Sequence, residues 1–500
     1  MKTNVLEYLE ETVSRVPDKI AFSDGINFLS FKELYRRARA GGSLLCRFNC
    51  YSEPILVIMD KHPNEIAAFL SIIYSGCFYV PVDAEMPSKR ISVIAETTKA
   101  RYIICDEKNL DLANKIEGTS IITFEDLISE TINNAALENV RSRQIDTDPI
   151  YVVFTSGSTG TPKGVVACHR SVIDYTETLS CALNFNENNI FGNQTPLYFD
   201  APLKEIMPTL KFGATTYFIP KKLFMFPIKL VEFLNTYRIN TVCWVVSALT
   251  MISAFGVFDK LKPKYLTTIA FGSEVFPIKQ FKIWRQALPE ATFYNLYGPT
   301  EATGMSCYWK ADRDLEEGEA IPIGRPFKNT RIMLIDDEGK QVGDNQIGEI
   351  YICGTCVTLG YYANEAKTTE AFVQDPMNLS YRSIVYKTGD LARYNEYGEL
   401  VFVSRRDYQI KHMGHRIELG EIEASADSIS GVSRACCIYD KEKKKIRMFY
   451  IGSISETELM ANLKEYIPRY MLPNVIIKLN HLPLTPNGKL DRLALSQIEK

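Results

Sequence analysis

The sequence predicts an α/β protein of more than one domain, and three observations predict it. Five hundred residues are too many for one hydrophobic core. From Asn4 to Leu296, short apolar runs rich in β-branched residues alternate with helical stretches, the texture of parallel sheets covered by helices. After Gly324 the strands shorten and Gly-containing turns appear, as at Asp337-Glu338-Gly339. That suggests a barrel or a small antiparallel sheet, and from Gln409 a separate small α+β unit begins.

In chain order, Val5, Leu6, Tyr8 and Leu9 recur at helical spacing, a hairpin-like stretch surrounds Asp24-Gly25, and Phe31 to Leu45 is helical. Strands are expected at Ile55–Met59, Phe78–Val82 and Arg101–Cys105, with helices at Pro63–Tyr74 and Ile91–Thr98 between them. Leu110 to Asp148 is more polar. Buried strands return at Tyr151–Phe154, Thr215–Ile219, Thr241–Val246, Thr267–Phe271 and Phe293–Leu296. Shorter strands follow at Arg331–Ile335, Gly348–Cys353 and Glu399–Val403. The last unit reads as helix Leu419–Ser428, strands near Cys436 and Phe449, and helix Glu456–Tyr466.

Composition excludes several classes. A net charge of −3 gives no broad field for nucleic acid or an anionic membrane. The most apolar window, Ile66 to Val82, is broken by Gly76 and Pro81 and reads as a helix running into a strand, not a membrane span. The charged start lacks a signal-peptide core, and the twelve cysteines are then expected as reduced thiols of a cytoplasmic protein. Cys353-Gly-Thr-Cys356 is a lone CxxC, and nothing beside His412 and His415 completes a metal-ligand set.

The stretch that carries chemistry is Tyr151 to Gly164, YVVFTSGSTGTPKG. A buried strand feeds a loop of Ser, Thr, Gly and Pro, dense in backbone and hydroxyl donors, with Lys163 adding positive charge. The natural guest is a polyphosphate. The loop fails the Walker A pattern, because Pro162 replaces the second glycine and Gly164 stands where Ser or Thr would hold magnesium. A second strand exit, Asn295-Leu-Tyr-Gly-Pro-Thr-Glu301, projects a carboxylate. Strand exits gather ligands in α/β sheets, and a carboxylate near a polyphosphate usually means Mg2+.

Taken in order, the motifs resemble those of the ANL superfamily: acyl-CoA synthetases, amino-acid adenylation domains of nonribosomal peptide synthetases, and luciferases. The resemblance rests on FLSFKELYRRARA from Phe28, YSGCFYVPVD from Tyr74, TSGSTGTPKG, YFDAPLKE from Tyr198, NLYGPTE and GEIYICG from Gly348. YKTGD from Tyr386, SRRDYQIKHMGHRIELGEIE from Ser404 and NGKLDR from Asn487 complete it. Among the branches it is most similar to stand-alone amino-acid adenylation enzymes, including D-alanine–carrier-protein ligases.

The resemblance implies an N-terminal adenylate-forming domain over 1–406 and a small mobile domain over 407–500, hinged at Asp407. In the family that domain swings between an adenylate-forming pose, with the residue matching Lys489 in the site, and a thiol-accepting pose that brings the segment of Lys411 and Gly414 to it. The implied reaction joins a carboxylate to the α-phosphate of ATP, releasing pyrophosphate. The loop Thr155, Ser156, Gly157, Ser158, Thr159, Gly160 and Lys163 would hold the outer phosphates, Thr300 would touch phosphate, and Glu301 would bind Mg2+. Asn295 and Tyr297 would frame adenine, Asp390 would take the ribose hydroxyls, Phe402 and Arg405 would complete the nucleotide site, and Lys489 would bridge the α-phosphate and the carboxylate.

On the substrate side, the resemblance implies that Asp200, after Phe199, pairs with the ammonium of an amino acid. The alternative role for Asp200 is capping the helix that follows. The same mapping gives a side-chain pocket of Ala201, Lys204, Trp244, Ile269, Phe271, Leu296, Gly304 and Met305, whose bulk favours a small or slim apolar amino acid. Lys204 stands out there, either reaching solvent or reading a polar group. Eleven residues follow Lys489, too few for a carrier domain, so a separate phosphopantetheinyl carrier protein is the expected partner. A CoA ligase and a catalytically silent nucleotide-binding homologue are the competing readings.

Overall fold

The computed structural model describes residues 2–157, 162–315, 319–406, 409–483 and 490–498. Ser158, Thr159, Gly160, Asp407 and Lys489 lie outside the described residues.

Two mainly parallel sheets carry the first three-fifths of the chain. The six-stranded sheet has the spatial order Ser120–Thr123, Tyr102–Cys105, Pro54–Ile58, Phe78–Pro81, Pro149–Thr155, Lys163–Cys168. Neighbours are parallel except the last pair, an antiparallel hairpin that carries the phosphate-like loop at its turn. Pro54–Ile58 shows why its sequence is apolar throughout: Ile55 and Val57 enter one core, Leu56 and Ile58 the other. The edge strand Ser120–Thr123 arises inside the polar stretch 110–148. Only one of its residues is fully buried, so it left almost no hydrophobic signal.

The nine-stranded sheet runs Arg325–Pro326, Cys307–Lys310, Thr292–Tyr297, Thr268–Gly272, Thr241–Val245, Ile190–Asn193, Thr215–Phe218, Ile20–Ser23, Phe28–Ser30. Ile190–Asn193 was not anticipated, since Ile-Phe-Gly-Asn carries two residues that strands disfavour. One large core lies between the two sheets and takes side chains from both. Helix Pro63–Tyr74 crosses that core. It is apolar around nearly its whole circumference, as a helix buried on every side must be. Helices Pro227–Thr236, Val246–Ala254 and Ile278–Ala287 cover the outer face of the nine-stranded sheet with a second core.

From Thr330 the chain builds a five-stranded antiparallel sheet. Strand Ile384–Tyr394 pairs with Gly348–Gly354 on one edge, and its other edge is shared between Phe372–Gln374 and Leu400–Arg405. Val403 is the extra residue of a bulge in Leu400–Arg405, opposite Leu391 and Ala392. Next come a tight hairpin, Gln409–His412 with His415–Glu418, the helix Leu419–Asp427, and a three-stranded sheet with its own apolar core around Ile422, Met448 and Leu459.

A buried ion pair fastens this last unit to the first sheet. Arg90 donates to Glu421 Oε1, and Glu421 Oε2 accepts the Gly157 amide at 3.0 Å. Burial pushes the Glu421 carboxyl up, against the pull of Arg90. Removing one partner leaves the other charge buried, at a cost of about 3–5 kcal/mol. Glu421→Ala is therefore expected to lower the denaturant midpoint clearly. An unchanged midpoint would mean that water reaches Arg90 once its partner is gone.

Candidate functional site

The strand that follows the loop, Lys163–Cys168, lies against the turn Thr300–Ala302 that carries Glu301. Segment 359–362 locks them together: Tyr362 N donates to Gly164 O at 2.7 Å, and Leu359 N donates to Val166 O at 2.9 Å. That pairing aims Tyr361 inward. The Tyr361 hydroxyl donates to Glu301 Oε1 at 2.7 Å, and Lys163 Nζ lies 3.7 Å from the same oxygen. Thr358 N and its hydroxyl both donate to the Glu301 carbonyl at 3.0 Å.

The other oxygen of Glu301 accepts from Arg416 Nη1 at 2.7 Å, across from the small hairpin. Glu301 is 0 % exposed. Burial by itself would raise its carboxyl, but Arg416, Lys163 and Tyr361 hold it well below the usual carboxylate range. Burial and the nearby Arg416 push Lys163 down, with Glu301 opposing them. Ser156 is buried, and its hydroxyl donates to Arg416 O at 2.8 Å.

A second cluster surrounds Asp390. The Tyr297 hydroxyl donates to Asp390 Oδ2 at 2.6 Å, and Arg405 pairs with Oδ1. Asn295 Nδ2 donates to Pro322 O at 2.7 Å, and Phe402 packs against the apolar cluster that contains Tyr297. Lys411 Nζ sits 5.6 Å from the centre of the Tyr297 ring. Burial, Arg405 and Arg416 lower Lys411, while Asp390 opposes them.

The hairpin reaches the site through three further contacts. Glu274 accepts from Gly414 N at 3.1 Å and from Ser247 N at 2.7 Å. Gly414 has φ +81°, and a Cβ there would come within 2.8 Å of Val245. His415 stacks on Tyr470 at 3.8 Å and meets Phe199 edge-on at 5.4 Å. Burial pushes the His415 imidazole down to about 4, so it is neutral in this position.

On the substrate side, Asp200 is half-buried near Thr300, and burial raises its carboxyl while Lys204 and Thr300 oppose that rise. It is not a helix cap. The following helix, Leu203–Phe212, has Pro202 at its N-cap and no side-chain cap bond. A Cβ on Gly304, which has φ +90°, would lie 3.6 Å from both Asp200 Oδ2 and the Tyr175 hydroxyl, so Gly304 leaves room beside the acid. Ala201, half-buried, begins the turn into the helix.

Strand alternation divides the other residues expected at the pocket. Leu296 and Met305 belong to the inter-sheet core with Leu203 and Tyr175. Trp244, Ile269 and Phe271 pack in the outer core, with Trp244 Nε1 donating to Gly192 O at 2.6 Å. Trp244 and Phe271 are register partners and so share a face, whereas Leu296 pairs with Gly272, one residue on. The structure thus gathers Asp200, Lys204, Thr300, Gly304, Leu296 and Met305 on one side of the sheet and places Trp244, Ile269 and Phe271 on the other.

Tyr361, Arg416, Glu421 and Glu274 escaped the sequence reading. Arg416 and Glu421 lie inside the HRIELGEIE run, which marked the segment without indicating its partners. Tyr361 and Glu274 carry no local signal. If Arg416 fastens the hairpin, Arg416→Ala is expected to speed amide hydrogen exchange across 409–418 at least severalfold. Unaltered exchange would assign the docking to Glu274 and Glu421 alone.

A family model described as "AMP-binding enzyme" matches residues 9–362. The chain is 30 % identical to the D-alanine--D-alanyl carrier protein ligase of Bacillus licheniformis, covering 99 % of each chain. It is 31 % identical to bacitracin synthase 1 of Bacillus licheniformis over 99 % of its own length, but spans only 9 % of that relative. Among solved structures, PA1221, an NRPS protein containing adenylation and PCP domains, aligns with a TM-score of 0.84 at 23 % identity, over 98 % of this chain and 84 % of that one. The o-succinylbenzoate CoA synthetase of Bacillus subtilis aligns with a TM-score of 0.84 at 18 % identity, over 100 % and 99 %. The extent of the family match and the full-length likeness to a carrier-protein ligase make the chain a member of the AMP-binding enzyme family, an adenylate-forming ligase that uses ATP.

Proposed function

We propose that this ligase activates an amino acid as its aminoacyl-adenylate, releasing pyrophosphate, and passes it to the phosphopantetheine thiol of a separate carrier protein. One observation carries the amino-acid reading: Asp200 is a half-buried carboxylate, not spent on a helix cap, near Thr300 and so close to Glu301. An anion so placed suits an ammonium. The carrier reading draws on the full-length likeness to an enzyme that loads D-alanine on its carrier.

The nucleotide assignments follow the same reading. Lys163 and the loop before it would take the outer phosphates, with Asp390, Arg405, Phe402, Asn295 and Tyr297 forming the nucleoside side. Glu301 is a single carboxylate, and that fits Mg2+, which takes most of its ligands from water and phosphate oxygens. The ion, when bound, would neutralise charge on the phosphates. In the arrangement described, Arg416 stands on Glu301 in its place, so Mg2+ and Arg416 would be alternatives. With Lys411, Gly414 and Arg416 at the site, this arrangement corresponds to the thiol-accepting pose. Division into domains at 406/407, with Asp407 as hinge and Lys489 delivered in the other pose, belongs to the same proposal. Among the described residues no helix is long and apolar enough to cross a membrane.

ATP–pyrophosphate exchange over amino, aryl and fatty acids, followed by thioester formation with carriers or free CoA, tests the whole reading. Efficient CoA thioester formation without carrier loading would replace it with a CoA ligase, the activity named for one fold neighbour. Lys489→Ala is expected to slow adenylation by a factor on the order of 10²–10³, as loss of a charge contact made in the transition state does. A loss under about tenfold, well short of that range, would remove Lys489 from the chemistry. Asp200→Ala is expected to abolish exchange with the preferred amino acid while ATP affinity holds. Equal exchange by variant and wild type would point to a substrate without an ammonium.

A further inference from the structure

Lys204 is 5 % exposed, yet its ammonium makes no hydrogen bond and no ion pair within 4 Å among the described residues. Half-buried Lys61, by contrast, donates to Asn193 O at 3.1 Å and Gln194 O at 3.0 Å. The Lys204 ammonium is also absent from the buried polar atoms that lack a partner, so its tip faces a small open space while its stem is enclosed. A buried charge with no direct partner is costly. The cost is tolerable where a ligand supplies the missing group.

The surrounding charges narrow down that group. Asp200 lies four residues earlier, at the turn into the same helix, and feels Lys204 electrostatically without touching it. Glu205 points to Asn193 Nδ2 at 3.3 Å, and burial raises its carboxyl to about 7, so it is no full counter-ion at neutral pH. Lys204 thus acts on two acids, Asp200 and the partly ionised Glu205, and touches neither. An amino acid whose ammonium satisfies Asp200 leaves only Glu205 to balance the Lys204 ammonium.

Resting on the amino-acid reading above, we propose that Lys204 is a specificity residue that pairs with a carboxylate in the substrate's side chain, making the preferred substrate a dicarboxylic amino acid. That replaces the slim apolar substrate expected from the bulk of Trp244, Phe271 and Met305, of which Trp244 and Phe271 pack in the other core. The Lys204 ammonium would bind the far carboxylate while the near one is activated.

The test is ATP–pyrophosphate exchange by the full chain with aspartate, glutamate, their carboxamides, alanine, valine, proline, benzoate and a short fatty acid. The result expected is preference for aspartate or glutamate over the matching carboxamide and the aliphatic amino acids by at least about tenfold, since a buried polar group left unpaired discriminates strongly. Lys204→Met, which keeps the stem volume, should erase that preference mainly through KM, and Lys204→Gln should shift it toward the carboxamide. The wild-type panel decides the matter even if a variant folds poorly. Best exchange with a carboxamide or an aliphatic amino acid overturns the carboxylate-reading role of Lys204 and leaves the amino-acid reading standing. Exchange with benzoate or the fatty acid alone overturns both.

Discussion

A carboxylate with no access to water must be surrounded by donors, and Glu301 sets that demand for the whole site. Its three partners come from parts of the chain far apart in sequence: Lys163 from the first sheet, Tyr361 from the segment beside it, and Arg416 from the last unit. None of these segments would be held in place by its own periodicity. The carboxylate stays ionised because three groups outweigh its burial, and the same three groups are brought into register by it. Fold and site are coupled at this point.

The arrangement also explains why the hairpin rests where it does. Arg416 brings a positive charge to a carboxylate that otherwise suits a divalent ion, and the Ser156 and Gly157 groups at the head of the phosphate-like loop bond to the hairpin and its helix. The Ser156 hydroxyl and the Gly157 amide are thus satisfied by the chain's own carbonyl and carboxylate, and the Glu301 carboxylate by a guanidinium.

Much of this was legible in the sequence where local pattern and chemistry coincide. Helix Pro63–Tyr74 and the strands around Ile55, Phe78 and Tyr102 announced themselves through apolar runs, and Lys163 and Glu301 through loops rich in Gly, Ser, Thr and Pro. Ser120–Thr123 and Ile190–Asn193 did not, because an edge strand with one buried residue and a strand of Ile-Phe-Gly-Asn lack the signal that propensity reads. The hairpin turn of the loop was equally hidden: Lys163–Cys168 looks like any apolar strand, and nothing local says it folds back on its predecessor. For the pocket, residue identity carried over from the resemblance, but side-chain direction did not. A one-residue difference in register separates Leu296 from Phe271, and only the sheet pairing reveals it.

The contact between Glu274 and the hairpin differs in kind from the others. Both of its donors, Gly414 N and Ser247 N, are main-chain amides. Every residue except proline offers such a donor, so neither Ser247 nor the neighbours of Gly414 are held to a particular side chain by it. All the chemical information of the latch resides in one acidic residue. Sequence drift on either flank leaves the fastening intact provided Glu274 persists and position 414 keeps its left-handed turn. The surface next to it, including Met413 at 61 % exposure, is free to diversify toward whatever it must meet.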